Sequence, residues 1–161
     1  MSEPSSSRKI EIVKEPQPIM TQSFNCWAVI VGISRYKNPS LNLQYADRDA
    51  EALYQLLLTP GGGQFKKEFI CKLTNKRATT GNITQALRGF LKKPAREDVV
   101  FVYFACHGAP DPDRPSNVYL LTHDTDPQDI AGTALPMSDI SRALKDTLHS
   151  EKVILLADQW H

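Results

Sequence analysis

Two stretches of the chain carry chemically capable side chains at the ends of apolar runs. The first, Asp98 to Gly108, reads D-V-V-F-V-Y-F-A-C-H-G, and the second, Lys152 to His161, reads K-V-I-L-L-A-D-Q-W-H. A short, continuous, β-branched and aromatic run such as Val99 to Ala105 suits a parallel strand buried on both faces better than a half-exposed antiparallel one. In an open α/β sheet the carboxyl ends of such strands are where ligands and catalytic groups collect. His107 with Gly108, and Asp158 with Gln159, Trp160 and His161, are therefore the first candidates for a site. An imidazole there can move a proton, a carboxylate can hold a cation, and a glycine lets a ligand approach the backbone. On position alone, a histidine at a strand end is more often an ordinary hydrogen-bonded surface group.

Other reactive residues read differently. Cys106 adjoins His107, but successive residues on a strand point to opposite faces, so its thiol is expected in the core, away from the side His107 serves. Asp111, Asp113, His123, Asp124, Asp126 and Asp129 lie close together in sequence. Their spacing is not that of an EF-hand loop, and Pro110, Pro112, Pro115 and Pro127 supply an ordinary turn reason for aspartate nearby. No metal and no cofactor is expected. Gly61-Gly62-Gly63 lacks the G-x-x-x-x-G-K-[ST] order of a phosphate loop and reads as a helix stop.

The elements that must position these groups follow from periodicity. Residues 1 to about 22, rich in Ser, Pro and charge, read as a flexible leader, and residues 23–161 as one domain. Phe24 to Ile33 is a first, nearly all-apolar strand, followed by turn chemistry from Ser34 to Asn42. Gln44 to Leu58 is helical and stops at Pro60-Gly61. A strand is expected over Glu68 to Leu73, then a helix from Thr80 to Leu91 with Thr79 or Thr80 as its cap and Ile83, Leu87, Phe90 and Leu91 on one face. After the central strand come a loop from Ala109 to Asn117, a short apolar piece, Val118 to Leu121, and a helix capped by Ser138 that runs to His149. The last strand is Lys152 to Ala157. Strands alternating with helices imply right-handed βαβ units and an α/β fold, a three-layer α/β/α sandwich around a mostly parallel sheet.

Composition narrows the class. At 161 residues and 41% hydrophobic the chain has the makings of one globular core. A net charge of +1, with 19 basic and 18 acidic residues interspersed, argues against a nucleic-acid partner. No stretch approaches the roughly 18 apolar residues of a membrane span, so no membrane association is expected. Three cysteines without C-x-x-C spacing, Cys26, Cys71 and Cys106, read as reduced thiols of a cytoplasmic protein.

Four segments in order, W-A-V-I-V-G-I-S-R-Y (Trp27 to Tyr36), L-Q-Y-A-D-R-D-A (Leu43 to Ala50), V-Y-F-A-C-H-G (Val102 to Gly108) and V-I-L-L-A-D (Val153 to Asp158), resemble the caspase-like cysteine peptidases. The likeness is strongest to bacterial caspase-family proteins and metacaspases and covers nearly everything from residue 24 onward. In that family the histidine precedes the nucleophilic cysteine by about 50 residues. The resemblance makes His107 the match of the catalytic histidine and Gly108 the match of the glycine whose backbone N–H helps hold the oxyanion. Asp49 and Asp158 match the carboxylates that line a pocket for a basic side chain, which implies cleavage after Arg or Lys. Each has a plainer reading, Asp49 as an early-helix carboxylate favoured by the helix dipole and Asp158 as a strand end. The family's D-x-C-H motif falls on Asp158-Gln159-Trp160-His161, so Trp160 occupies the position of the missing cysteine. Just before His107, where the family has a small residue and then glycine, this chain has Ala105 and Cys106.

A cysteine peptidase attacks with a thiolate, and an indole supplies no ionisable nucleophile near neutral pH. Two function classes stay open. One is a cysteine-type endopeptidase domain, acting in proteolysis or in cell-death or defence signalling, that is inactive as written. The other is a non-catalytic pseudopeptidase that holds a basic peptide or protein, or serves as a scaffold. The resemblance also implies further strands beyond the one that precedes the nucleophile position, and fused or partner domains. An open sheet edge with an exposed apolar face is expected to favour homodimers.

Overall fold

The structure is a computed structural model that describes residues 23–160. The expected leader and His161 lie outside the described residues.

Strand β1 (Cys26–Gly32) forms where the sequence is apolar throughout, and all of it except Cys26 is buried. Helix α1 (Ala46–Leu58) follows, then β2 (Ile70–Thr74) and helix α2 (Thr80–Arg88). The central strand β3 (Val99–Pro110) is succeeded by β4 (Val118–Leu120), a short helix α3 (Ile130–Thr133), β5 (Leu135–Pro136), helix α4 (Met137–Thr147) and β6 (Lys152–Trp160). The strands β2, β1, β3 and β6 lie side by side in that order, all parallel, with Cys26 beside Val99 and Val99 beside Lys152.

The three layers are as expected, and the sheet is mixed where a mostly parallel one was expected. β3 does not stop at the His107-Gly108 pair. It continues to Pro110 and pairs antiparallel with β4, Gly108 opposite Leu120, and β4 pairs antiparallel with β5. The physical reason lies in the apolar piece Val118 to Leu121. Tyr119, Leu120 and Leu121 are buried, so their backbone groups need hydrogen-bond partners inside the protein, and the overhanging end of β3 provides them.

Alternation along the strands divides the core in two. Val29, Val31, Val100, Val102 and Phe104 face α2 and α4, where Ile83, Leu87 and Ile140 are fully buried. Ala28 and Ile30, with Phe101 and Tyr103 against them, face Ala50 and Leu57 of α1. Gly32 permits that second contact: a Cβ there would lie 2.4 Å from the Ala50 Cβ and 2.5 Å from the Ala46 carbonyl oxygen. The Pro60–Gly62 segment makes one 3-10 turn, and Gly63 follows it at a φ of 103°, the left-handed conformation glycine adopts without strain. Thr79 caps α2 by accepting the Asn82 amide at 3.1 Å. Ser138, expected to cap α4, lies inside it; the helix starts after Pro136 with no side-chain cap.

The start of β3 is tied to the start of β1 by one carboxylate. Asp98, 5% exposed, accepts the Asn25 amide at 2.9 Å, the Trp27 indole N–H at 2.8 Å and the Ala95 amide at 2.8 Å. Burial alone would raise its pKa, but the two amides and the indole outweigh burial and hold it below the ordinary carboxylate value. A depressed native pKa contributes stability that is present above the unfolded value and is lost as pH falls through the native one. We predict that Asp98→Ala costs about 3 kcal/mol in urea unfolding. Below about pH 4 the wild type loses stability more steeply than Asp98→Asn. An equal slope for the two would show that Asp98 is not the titrating group.

Candidate active site

The site is set by the parallel register of β3 and β6. That register puts Ala105 beside Asp158, Cys106 beside Gln159 and His107 beside Trp160. Residues 53 positions apart in the chain are thus Cα neighbours across two strands.

The His107 ring is held from the loop that follows β1. Its Nε2 lies 2.8 Å from the Leu41 carbonyl oxygen. A carbonyl can only accept, so Nε2 carries the hydrogen in this contact, and Nδ1 is the nitrogen that bears the lone pair of the neutral ring. The His107 backbone N–H donates to the Tyr36 hydroxyl at 3.0 Å, and the two rings lie 5.6 Å apart, tilted by 44°. Tyr36 is itself buried; burial first, then the neighbouring Cys106, raises its phenol pKa, so it stays a neutral hydroxyl.

A polar brace holds that loop in turn. Asn75 Oδ1 accepts the Ser34 and Arg35 amides, each at 3.0 Å. Asp47 accepts the Ser34 hydroxyl at 2.7 Å and the Asn75 side-chain amide at 3.1 Å. Asn75 has a φ of 51°, a left-handed conformation that asparagine tolerates better than most residues. Burial raises the pKa of Asp47, but its hydrogen bonds from Ser34, Asn75 and the Arg48 amide prevail and lower it. Asn42 Oδ1 closes the loop on the Tyr36 amide at 2.8 Å. Leu41 and Asn75 escaped sequence reasoning because neither sits in a recognisable pattern, and Ser34 and Asp47 because their place in two of the family-like segments does not tell which side chains meet. Tyr36 lies within one of the four family-like segments, but nothing in its spacing signals a contact 71 residues away.

The two proposed pocket carboxylates come from different elements. Asp49 is exposed in the first turn of α1, and Asp158 is exposed on β6. Both act on Tyr103, whose phenol pKa is raised first by burial, then by the charge of Asp158, then by that of Asp49. Tyr103 shares a strand face with Ala105 and His107. Gly108 lies just beyond, seated by the Leu121 amide, which donates to the His107 carbonyl at 2.8 Å.

Cys106 points away from this side, as alternation requires. It is 1% exposed in the core facing α2 and α4, and burial pushes its thiol up to about 12. Three of the aspartates after β3 serve local turns: Asp111 accepts the Asp113 and Arg114 amides, Asp126 the Gln128 amide and Asp129 the Gly132 amide, while Asp124 accepts the Thr80 amide at the start of α2. Treatment of the native protein with iodoacetamide is expected to leave Cys106 unmodified while the half-buried Cys26 and Cys71 react, as read by peptide mass mapping. Rapid labelling of Cys106 would contradict its burial.

The profile of the Caspase domain family, peptidase family C14, matches residues 25–158. The crystal structure of protein GSU0716 from Geobacter sulfurreducens superposes with a TM-score of 0.63 at 18% identity, over 85% of this chain and 51% of that one. The present chain thus spans about half the length of that protein, and at this identity the likeness speaks for the fold. No curated protein sequence matches the chain. A profile match that begins ahead of β1 and ends within β6, over a layered sheet that sets a histidine beside the end of β6, means that this chain belongs to the caspase domain family.

Proposed function

We propose that this chain is a caspase-type peptidase domain built to receive an Arg or Lys side chain, and that its chemistry halts at position 160. The observation that carries the reading is the register of β3 and β6, in which His107 stands directly beside Trp160. In a cysteine peptidase a thiolate beside the histidine attacks the peptide carbonyl, the histidine protonates the departing amine, and water releases the acyl-enzyme. With tryptophan at the nucleophile's place the first bond cannot form. The remaining parts are those of recognition. The charges of Asp49 and Asp158 both influence Tyr103, and two carboxylates favour a basic side chain by charge and by directed hydrogen bonds. The chain therefore acts by holding a basic peptide or protein segment.

Peptides ending in Arg or Lys and carrying a fluorogenic leaving group separate recognition from chemistry. We expect no turnover above that of His107→Ala, together with saturable binding seen as fluorescence anisotropy. Asp49→Asn and Asp158→Asn should each weaken binding about tenfold, the loss of one charge-assisted partner. Hydrolysis that disappears in His107→Ala would overturn the inactive reading. Equal affinity for an Arg peptide and its norleucine counterpart would overturn the pocket. Trp160→Cys tests descent from a working dyad: His107-dependent hydrolysis in that variant is the expected gain.

A further inference from the structure

The near-neutral charge of the whole chain conceals one strongly basic stretch. Residues 60–94 hold eight of the 19 basic residues and one of the 18 acidic ones. That stretch builds β2, α2 and the turns around them, on the opposite side of the parallel layer from β6. Between β2 and α2 lies a groove of about 420 Å³, within the roughly 300–1,000 Å³ of ligand clefts. Strand alternation turns Cys71 and Leu73 toward this side and Lys72 toward α1, where Glu51 pairs with it. Cys71, Leu73 and Phe90 make an apolar floor, and the exposed Arg77, Lys93 and Gln85 stand around it. Among the described residues the ion pairs are Lys72 with Glu51 and Arg96 with Glu151, so no carboxylate neutralises Arg77 or Lys93. Burial raises the Cys71 thiol pKa, and the charges of Arg77 and Lys93 both pull against it, so both are felt on the groove floor. A row of rings carries the positive charge further. Lys93 lies 5.3 Å from the Phe90 ring, Phe90 stands edge-on to Trp27, Trp27 stacks on Phe69 at 4.0 Å, and Lys66 lies 5.5 Å from the Phe69 ring.

We propose that this groove binds an acidic segment of a partner protein, with carboxylates on Arg77 and Lys93 and an apolar side chain between them laid on Cys71, Leu73 and Phe90. Cations without carboxylates of their own form charge-assisted hydrogen bonds to a partner at no cost in broken ion pairs. The floor selects among anions. An inorganic ion would use the two cations and leave the apolar surface uncovered, whereas a peptide side chain fills it. A single-stranded nucleic acid stacks its bases on open aromatic faces, and here Trp27 is 7% exposed while Phe69 and Phe90 lie beneath lysines. Helix α1, which carries Asp49, packs on the other face of the sheet. The acidic segment therefore binds without competing with a basic one held by Asp49 and Asp158.

The test uses the whole chain and a fluorescein-labelled peptide with one leucine between two pairs of glutamates, read by fluorescence anisotropy. We expect saturable binding that weakens as salt is raised and that is absent for the glutamine counterpart. Arg77→Glu and Lys93→Glu should each weaken it about tenfold or more, while Arg77→Lys and Lys93→Arg stay within about threefold of wild type. Arg114→Glu, the same change of charge in the loop after β3, should leave binding unchanged. Bound peptide should slow iodoacetamide modification of Cys71 and not that of Cys26, which strand alternation places on the α1 face. Equal affinity for the glutamine peptide overturns the proposal, as does a loss in Arg114→Glu as large as in the groove variants, which would mark diffuse charge. An unprotected Cys71 places the peptide elsewhere and overturns it too. Displacement of the peptide by an equal concentration of inorganic phosphate would make the groove a free-anion site, and tighter binding of a single-stranded oligonucleotide would make the partner a nucleic acid; either result overturns the assignment to an acidic protein segment.

Discussion

The satisfaction of β3 on both edges is the constraint on which the rest of the structure depends. Its buried backbone must hydrogen-bond along its whole length, so β1 takes one side, β6 the other, and β4 takes the overhang past His107. The same strand must bury alternate side chains under two different layers, which leaves no freedom to slip: a shift of one residue would turn Cys106 toward the site and His107 into the core. Asp98 pins the strand's beginning to Asn25 and Trp27. The position of His107 is therefore the far end of a register set many residues earlier.

That register delivers the histidine, and the loop after β1 orients it. Leu41 fixes the tautomer through its carbonyl, and Tyr36 takes the backbone N–H through its hydroxyl. Neither group changes charge near neutral pH. Behind them, Ser34, Asp47 and Asn75 form a closed set of hydrogen bonds at the mouth of α1. By register the backbone neighbour of His107 on β6 is position 160, where this chain has tryptophan.

The same geometry accounts for the uneven surface. Among the described residues β2 lies at one side of the parallel layer with α1 and α2 packed nearby, and β6 lies at the other with Val153, Ile154, Leu155 and Leu156 exposed. The contrast between a strand buried at nearly every position, β1, and one exposed throughout its apolar stretch, β6, arises from neighbours among the described residues and not from composition, since V-I-L-L-A is as apolar as A-V-I-V-G.

Much of this was legible in the chain itself. Continuous apolar runs marked β1, β3 and β6; the helical period and the Pro-Gly-Gly-Gly stop marked α1; alternation along β3 sent Cys106 inward; and the residue at position 160, an indole and not a thiol, is a covalent fact that no fold can alter. These are local properties, encoded within a few residues. What only tertiary structure decided is which strands adjoin, that the sheet turns antiparallel past His107, that Asp47 and not Asp49 carries the hydrogen-bonded brace, and that Tyr36 and a backbone carbonyl hold the histidine. Those contacts join residues 66 and 71 positions apart. A backbone carbonyl has no side-chain identity to read, and its direction exists only once the loop between Ser34 and Leu43 has closed.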